Sequence, residues 1–288
     1  MKVGFIGLGN MGAPMARNLA AANIEVAGFD IARACPEAVA PASSAAEAAS
    51  SRDVVLTMLP DGEALLAVAS EIIPAMPPGS LLLDCSTVDI DSALKANEAA
   101  KAAGPRFMDA PVSGGVAGAA AGTLTFMAGG SKEDFAEVSP LFGIMGSKAV
   151  HCGGAGSGQA AKICNNMILG ATMIVTCEAF ALADKLGLSR ERMFEVVSKS
   201  SGYSWSMNAY CPAPSVGPKS PADSDYEPGF AAELMLKDLR LAQQAAESSG
   251  ADTPVGRLAS KIYESFVENE GGAGRDFSAI LLKFAKNG

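Results

Sequence analysis

Met1-Lys2-Val3-Gly4-Phe5-Ile6-Gly7-Leu8-Gly9-Asn10-Met11-Gly12 opens the chain and decides how the rest is read. Val3, Phe5 and Ile6 predict a short buried strand, Gly7, Gly9 and Gly12 spell G-x-G-x-x-G, and Ala13–Ala22 continues as a helix. The glycines differ in mechanical role. Gly7 allows a tight turn, Gly9 lets the backbone approach a pyrophosphate, and Gly12 lets the helix pack closely on the strand. Leu8, Asn10 and Met11 complete the loop, and the free N–H groups at the helix N-terminus are suited to phosphates. Pro14 falls in the first helical turn, where a missing N–H costs little. A second apolar run, Val26-Ala27-Gly28-Phe29, ends in Asp30, about 20 residues into the unit, where a carboxylate hydrogen-bonds the adenosine ribose hydroxyls. Asp30 would repel a 2′-phosphate, so NAD is favoured over NADP, and the nearby Arg33 works against that preference. The plainer alternative is a turn-capping aspartate after an ordinary strand.

A chain of 288 residues is expected to hold about two domains. Charged residues make up only 18% of it, against about 25% in an average globular protein, which suggests surface buried between subunits. The net charge of −9 argues against nucleic acid and anionic membranes as partners. No signal peptide fits, because the N-terminus is already a strand. The six cysteines, Cys35, Cys85, Cys152, Cys164, Cys177 and Cys211, are scattered without a C-x-x-C pair, which reads as a reducing, cytoplasmic compartment and no structural metal. His151 is the only histidine, so a multi-histidine metal site is excluded; it is expected to be an ordinary strand residue.

Along the chain, Pro36–Ser51 holds a short strand and a helix around Ala45–Ala49. Asp53–Pro60 and Ser80–Thr87 are apolar runs suited to strands buried on both faces, with a helix over Asp61–Ile73 between them. This alternation implies a parallel sheet, whose ligands bind at the carboxyl ends of its strands. Those ends include Met58-Leu59-Pro60 and Ser86-Thr87, which either line the nicotinamide half of the cofactor or are plain turns. A further strand, Arg106–Ala110, runs into Pro111-Val112-Ser113-Gly114-Gly115, a loop whose hydroxyl and N–H groups suit a substrate carboxylate, or a merely flexible loop. Strands at Thr123–Ala128 and Ala149–Cys152 flank a helix at Lys132–Leu141. Past Gly158 the character changes. Gln159–Leu186 predicts one long helix, nearly all apolar over Met167–Ala183; Glu178 within it favours a buried inter-domain or dimer helix over a membrane span. Helices follow at Ser189–Ser198, Glu233–Ser248, Pro254–Asn269 and Phe277–Lys286, around a Pro-rich loop at Cys211–Pro228.

Lys162 and Asn166 are four residues apart on the long helix and so share one face. A lysine beside apolar surface has its neutral form favoured and can take the hydroxyl proton while hydride leaves an alcohol for nicotinamide. The alternative is a solvated helix lysine.

Taken together, these stretches resemble the β-hydroxyacid dehydrogenase family. Its opening G-x-G-x-M-G-x-x-M is matched by Gly7–Met15, its D-A-P-V-S-G-G by Asp109–Gly115, its G-x-x-x-K-x-x-N-N by Gly158, Lys162, Asn165 and Asn166, and its late K-D-L by Lys237, Asp238 and Leu239. Gly122–Met127, Ser200–Ser206 and Tyr226–Phe230 are similar to the branch that acts on 3-hydroxyisobutyrate, and the resemblance runs from Lys2 to about Phe284. It implies a Rossmann-type α/β NAD-binding domain over residues 1–161 and an all-α substrate and dimerisation domain over 162–288, paired as homodimers or homotetramers. It also implies Lys162 as general acid/base with Asn166 in support, Ser113, Gly114 and Gly115 on the substrate carboxylate, and Leu59, Pro60 and Thr87 against the nicotinamide half. Lys237 would reach cofactor or substrate, and Trp205 and Phe230 would shape the pocket around the substrate methyl. The Pro212–Pro221 loop departs from the pattern. The expected reaction is NAD-linked oxidation of 3-hydroxyisobutyrate to methylmalonate semialdehyde in valine breakdown. Reduction of tartronate semialdehyde by the same residues is the alternative, and a non-catalytic NAD-binding scaffold is a remote one.

Overall fold

The structure, a computed structural model, describes residues 1–285. The chain divides into two compact units, Met1–Lys162 and Ile163–Gly288.

The first unit is built on a nine-stranded sheet. Its strands are β1 (Lys2–Ile6), β2 (Glu25–Phe29), β3 (Ala40–Pro41), β4 (Val54–Thr57), β5 (Leu81–Asp84), β6 (Arg106–Asp109), β7 (Val112–Ser113), β8 (Leu124–Gly129) and β9 (Gly146–Gly153). The helices between them are α1 (Gly12–Ala21), α2 (Ala45–Ala49), α3 (Gly62–Ile72), α4 (Ile90–Ala103), α5 (Gly115–Ala121) and α6 (Lys132–Met145). The strands lie in the order β3-β2-β1-β4-β5-β6-β8-β7, with β9 paired to β8. From β3 to β6 every pairing is parallel. Alternate residues of the central strands enter different cores: Val54, Leu56, Leu81 and Leu83 pack with α1 residues Met15, Ala16 and Leu19, whereas Val55 and Leu82 pack with Ala48, Leu65 and Ala96 of α2, α3 and α4. Both faces are therefore covered, which explains the unbroken apolar runs.

The sheet is not parallel throughout, which corrects the sequence expectation. β8 runs antiparallel to β6 and β7. The link from β7 to β8, Gly114–Thr123, is shorter than the dozen or so residues a parallel crossover requires, so the chain must return antiparallel. Helix starts follow local chemistry: Ser44, Asp61, Asp89 and Ser131 each accept an N–H from the first turn of α2, α3, α4 and α6.

The long α7 (Ser157–Lys185) begins in the first unit and continues into the second. There follow α8 (Arg190–Val197), α9 (Trp205–Asn208), α10 (Ala232–Ser249), α11 (Pro254–Asn269) and α12 (Leu281–Ala285). The core of the second unit takes Met173, Ile174, Cys177 and Phe180 from α7 together with Met235, Leu239, Tyr263 and Phe266. α7 is not buried on all sides: Ile168, Val175 and Leu182 are 61, 57 and 59% exposed. The predicted helix at Phe277–Lys286 begins as a 3-10 turn over Phe277–Ile280 before α12, and Lys286 lies outside the described residues. The Pro-rich loop is packed: Ser220 donates to the Cys211 carbonyl at 2.7 Å, Tyr226 to the Pro212 carbonyl at 2.9 Å, and Ala213 and Val216 are buried.

Candidate active site

The glycine loop is shaped by main-chain contacts. Gly7 has φ +90°, and its N–H donates to the Phe29 carbonyl at 3.0 Å. A Cβ on Gly12 would stand 1.9 Å from the Gly7 carbonyl oxygen, so α1 reaches this close to β1 only through glycine. Gly9 is different: a Cβ there would meet none of the described residues within 4 Å. The protein's own packing does not call for glycine at that position, and the space fits a pyrophosphate approaching the backbone. The residue before α1, Met11, makes no side-chain cap and the first turn holds no acidic residue, so the positive end of the helix dipole is left for an anion. Leu8 and Gly12 are buried, Gly9 and Met11 half-buried, and Asn10 exposed.

Asp30 braces this loop. One carboxylate oxygen accepts the Leu8 N–H at 2.7 Å and the other accepts the N–H groups of Ala32 and Arg33 at 2.8 and 2.9 Å. The turn-capping role weighed from sequence is therefore real, and the half-exposed carboxylate stands at the carboxyl end of β2 as a ribose ligand would.

At the next strand ends, the Leu59 N–H donates to Ser86 Oγ at 2.8 Å, and Ser86 Oγ donates to Asp84 at 2.6 Å. Thr57 Oγ1 donates to the same Asp84 oxygen at 2.8 Å. Asp84 is wholly buried and its second oxygen has no hydrogen-bond partner among the described residues. Burial pushes its carboxyl up to about 6 against the opposing hydrogen bonds from Ser86 and Thr57, with the nearby Asp109 charge adding to the rise. Leu59 and Thr87 are half-buried and Pro60 exposed, and Ser86 joins their two turns.

The first turn of α7 meets the same region. Gln159 accepts the Val88 N–H at 3.1 Å and donates to the Ser86 carbonyl at 2.8 Å. Asp109 accepts the N–H of Gly156 at 2.7 Å and of Gln159 at 2.8 Å; burial still leaves its carboxyl raised. Lys162, 6% exposed, follows on this helix, and the alternative of a solvated lysine falls. Ser113 pairs with Thr125, while Gly114 and Gly115 have φ of 132° and 62° and turn the chain into α5. Ser113 and Gly115 are half-buried and Gly114 is exposed.

In the second unit, the buried Asn166 donates from Nδ2 to Asp238 at 2.5 Å and accepts from Asn165 at 2.8 Å. Asp238 is preceded on α10 by the half-buried Lys237. Trp205, 51% exposed, stacks on Tyr210 with centroids 4.9 Å apart. Tyr210 and Phe230 both pack on Phe277. Asp276 locks this cluster by accepting from Tyr210 Oη at 2.8 Å and from the Gly229 and Phe230 N–H groups at 3.0 Å. Asp84, Gln159, Tyr210 and Asp276 are missed by sequence reasoning, because partners of theirs lie far along the chain; Ser86 is named there as a strand end, without its bonds to Leu59 and Gln159. His151 is in β9 with Nε2 2.9 Å from the Gly130 carbonyl, a strand residue as expected.

Two protein families match in succession. Residues 2–154 match the NAD binding domain of 6-phosphogluconate dehydrogenase. Residues 156–284 match the NAD-binding domain of NADP-dependent 3-hydroxyisobutyrate dehydrogenase. A probable 3-hydroxyisobutyrate dehydrogenase of Mycobacterium tuberculosis is 44% identical over 97% of this chain and 96% of its own. An NAD-dependent L-serine dehydrogenase of Pseudomonas aeruginosa is also 44% identical, over 98 and 97%. A solved structure of the M. tuberculosis 3-hydroxyisobutyrate dehydrogenase with L-serine superposes with a TM-score of 0.92 at 44% identity, covering 98% of each chain.

Proposed function

The chain belongs to the 3-hydroxyisobutyrate dehydrogenase family of β-hydroxyacid dehydrogenases, and from that premise we propose that it oxidises 3-hydroxyisobutyrate to methylmalonate semialdehyde with NAD. Family membership makes it an NAD(P)-dependent oxidoreductase of this type; the substrate, the choice of NAD and the residue roles are our reading. The observation that carries it is Lys162, buried on α7 one helical turn before Asn166 and three residues after Gln159, which is bonded to both neighbours of Thr87.

When bound, nicotinamide supplies a hydride acceptor. The Gly7–Gly12 loop and the start of α1 hold the pyrophosphate, Asp30 the adenosine ribose, and Leu59, Pro60 and Thr87 border the nicotinamide half. Ser113, Gly114 and Gly115 hold the substrate carboxylate through a hydroxyl and main-chain N–H groups. Lys162 Nζ accepts the hydroxyl proton as the carbinol C–H bond breaks. Asn166, fixed by Asp238, steadies the lysine or the substrate oxygen, and Lys237 reaches cofactor or substrate. The second copy implied by family resemblance is supported by the exposed strip Ile168, Val175 and Leu182, spaced seven residues apart on α7.

A second substrate reading has its own support, since the L-serine dehydrogenase relative is as similar as the 3-hydroxyisobutyrate one. L-Serine carries an ammonium where 3-hydroxyisobutyrate carries a methyl, and the aromatic cluster of Trp205 and Phe230 favours the methyl. An initial-rate panel separates them, pairing NAD and NADP with 3-hydroxyisobutyrate, L-serine, 3-hydroxypropionate and glycerate. Highest kcat/KM for 3-hydroxyisobutyrate with NAD upholds the proposal. Faster L-serine oxidation moves the substrate and keeps the mechanism; faster glycerate moves it towards the tartronate semialdehyde enzymes. A Lys162→Ala variant retaining most of its kcat would sink the mechanism itself.

A further inference from the structure

One buried amide ties the turn around Thr87 to the helix that carries Lys162. Gln159 is 0% exposed and lies in the first turn of α7. Its Oε1 accepts the Val88 N–H and its Nε2 donates to the Ser86 carbonyl, so it pairs with the main chain on both sides of Thr87 as an adjoining strand would. Ser86 passes the constraint on, since its hydroxyl accepts the Leu59 N–H and donates to Asp84. The same helix start is gripped from β6, where Asp109 accepts the N–H groups of Gly156 and Gln159. There is no slack at this point: a Cβ on Gly158 would stand 2.2 Å from the Met127 carbonyl oxygen and 2.7 Å from the Asp109 carboxylate. Lys162 follows Gln159 by three residues and so lies on the same helix face.

We propose that Gln159 is a positioning residue for the oxidation, holding the Thr87 turn and Lys162 in one register. The proposal rests on the reading of Lys162 as base and of Thr87 as a neighbour of nicotinamide. An amide suits this role because it offers a donor and an acceptor at one end of an uncharged side chain, matching a carbonyl and an N–H two residues apart. Hydride and proton transfer each depend on near-contact geometry, and a displacement of about 1 Å can cost about 100-fold in rate.

The test uses the full-length enzyme with NAD and the better of 3-hydroxyisobutyrate and L-serine. Gln159→Met keeps the length and removes both hydrogen bonds. It should lower kcat by about 10- to 100-fold with KM values held within about threefold. The deuterium isotope effect at the carbinol carbon should rise as hydride transfer becomes limiting. Gln159→Glu keeps the acceptor for Val88 and regains a donor towards Ser86 only when protonated. Its kcat, taken as a ratio to wild type at each pH, should therefore recover as pH falls from about 9 to 6. The ratio is needed because the carboxyls of Asp84, bonded to Ser86, and Asp109, bonded to the Gln159 N–H, lie beside this position and are both raised by burial, and Lys162 follows it by three positions. Rates are normalised to NADH-binding stoichiometry, so loss of folded protein does not count.

A Gln159→Met variant within about twofold of wild-type kcat overturns the proposal. So does a Glu variant whose ratio to wild type stays flat with pH, and this arm stands even where Gln159→Met does not fold. Lys162→Ala in the same series keeps the two readings apart. Activity retained there removes the base, whereas activity retained only in Gln159→Met removes the positioning role and leaves the base standing.

Discussion

Alanine at Gly9 and alanine at Gly12 should fail in opposite ways, although both break the same motif. At Gly12 the new Cβ would lie 1.9 Å from the Gly7 carbonyl oxygen and 3.0 Å from the ring of Phe5, which is itself wholly buried. Neither neighbour can yield: Gly7 is held at φ +90° with its N–H on Phe29, and relief requires lifting α1, with Met15, Ala16 and Leu19, off the sheet. Overpacking against main chain of this kind should cost about 3 kcal/mol or more, lowering Tm by about 6–12 °C for a domain of this size. At Gly9 the Cβ meets open space, so stability should be unchanged or raised by up to about 1 kcal/mol through the unfolded chain. The methyl then occupies the pyrophosphate's approach, and a ~30-fold loss of NAD affinity, about 2 kcal/mol, is expected. Thermal melts with and without NAD read both effects. At a cofactor concentration ~100 times the wild-type Kd, wild type gains about 2.7 kcal/mol and Gly9→Ala about 0.9 kcal/mol. The reasoning is refuted by a Gly9→Ala variant stabilised by NAD as strongly as wild type, or by a Gly12→Ala variant melting within about 2 °C of it.

Three further outcomes are expected. Asp84 binds its proton more tightly folded than unfolded, so its contribution is favourable below about pH 4 and lost as pH rises through about 6; Asp84→Asn should gain up to ~3 kcal/mol relative to wild type between pH 4 and 8 in urea unfolding, and a pH-independent difference would contradict this. Asp30→Ala should lower kcat/KM for NAD by about tenfold or more and raise the NADP-to-NAD ratio, whereas equal losses for both cofactors would leave Asp30 only its bracing bonds to Leu8, Ala32 and Arg33. Val175→Glu on the exposed strip of α7 should shift the protein to a smaller species in light scattering while leaving its circular dichroism unchanged, and an unaltered mass would move the subunit interface elsewhere.

What sequence reveals and what it hides divides along the reach of the interactions. The glycine loop is legible because its constraints act within a few residues: Gly12 is required by Gly7 and Phe5, five and seven positions away. β4 and β5 are legible because burial on both faces leaves continuous apolar runs. α4 escapes that reading, since its buried face is Ser92, Ala93, Ala96 and Ala100, whose small side chains give little amphipathic contrast. The antiparallel edge escapes it too, being set by a short link rather than by β7 or β8 themselves. The supports of the site are hidden for a stronger reason. Asp84 meets Thr57 across 27 residues, Gln159 meets Val88 across 71, and Asp276 meets Tyr210 across 66. Local pattern carries no trace of such partners, so Lys162 is visible as a candidate while the groups that hold its helix are not.

The substrate question reduces to one substituent, and the two candidates place opposite demands on it. Both present a primary alcohol and a carboxylate, so in the roles proposed above the Ser113 loop and Lys162 would serve either. A methyl in apolar surroundings gains about 1–3 kcal/mol, whereas an ammonium buried there without a partner costs more than the methyl gains. In the second unit Trp205, Tyr210, Phe230 and Phe277 form one continuous aromatic group, and the carboxylate beside them, Asp276, is already committed to Tyr210, Gly229, Phe230 and Ser278. Its bonds are inward and structural, so it offers a substrate ammonium little. Were this aromatic group to face the substituent, as proposed for Trp205 and Phe230, it would select the methyl. Efficient L-serine oxidation would require another oxygen ligand to face that atom, with Asp238, already bonded to Asn166, the nearest carboxylate in sequence to the proposed cofactor- or substrate-binding Lys237. Which side chain meets that one substituent, rather than the shared catalytic residues, is what separates a 3-hydroxyisobutyrate enzyme from an L-serine enzyme on this fold.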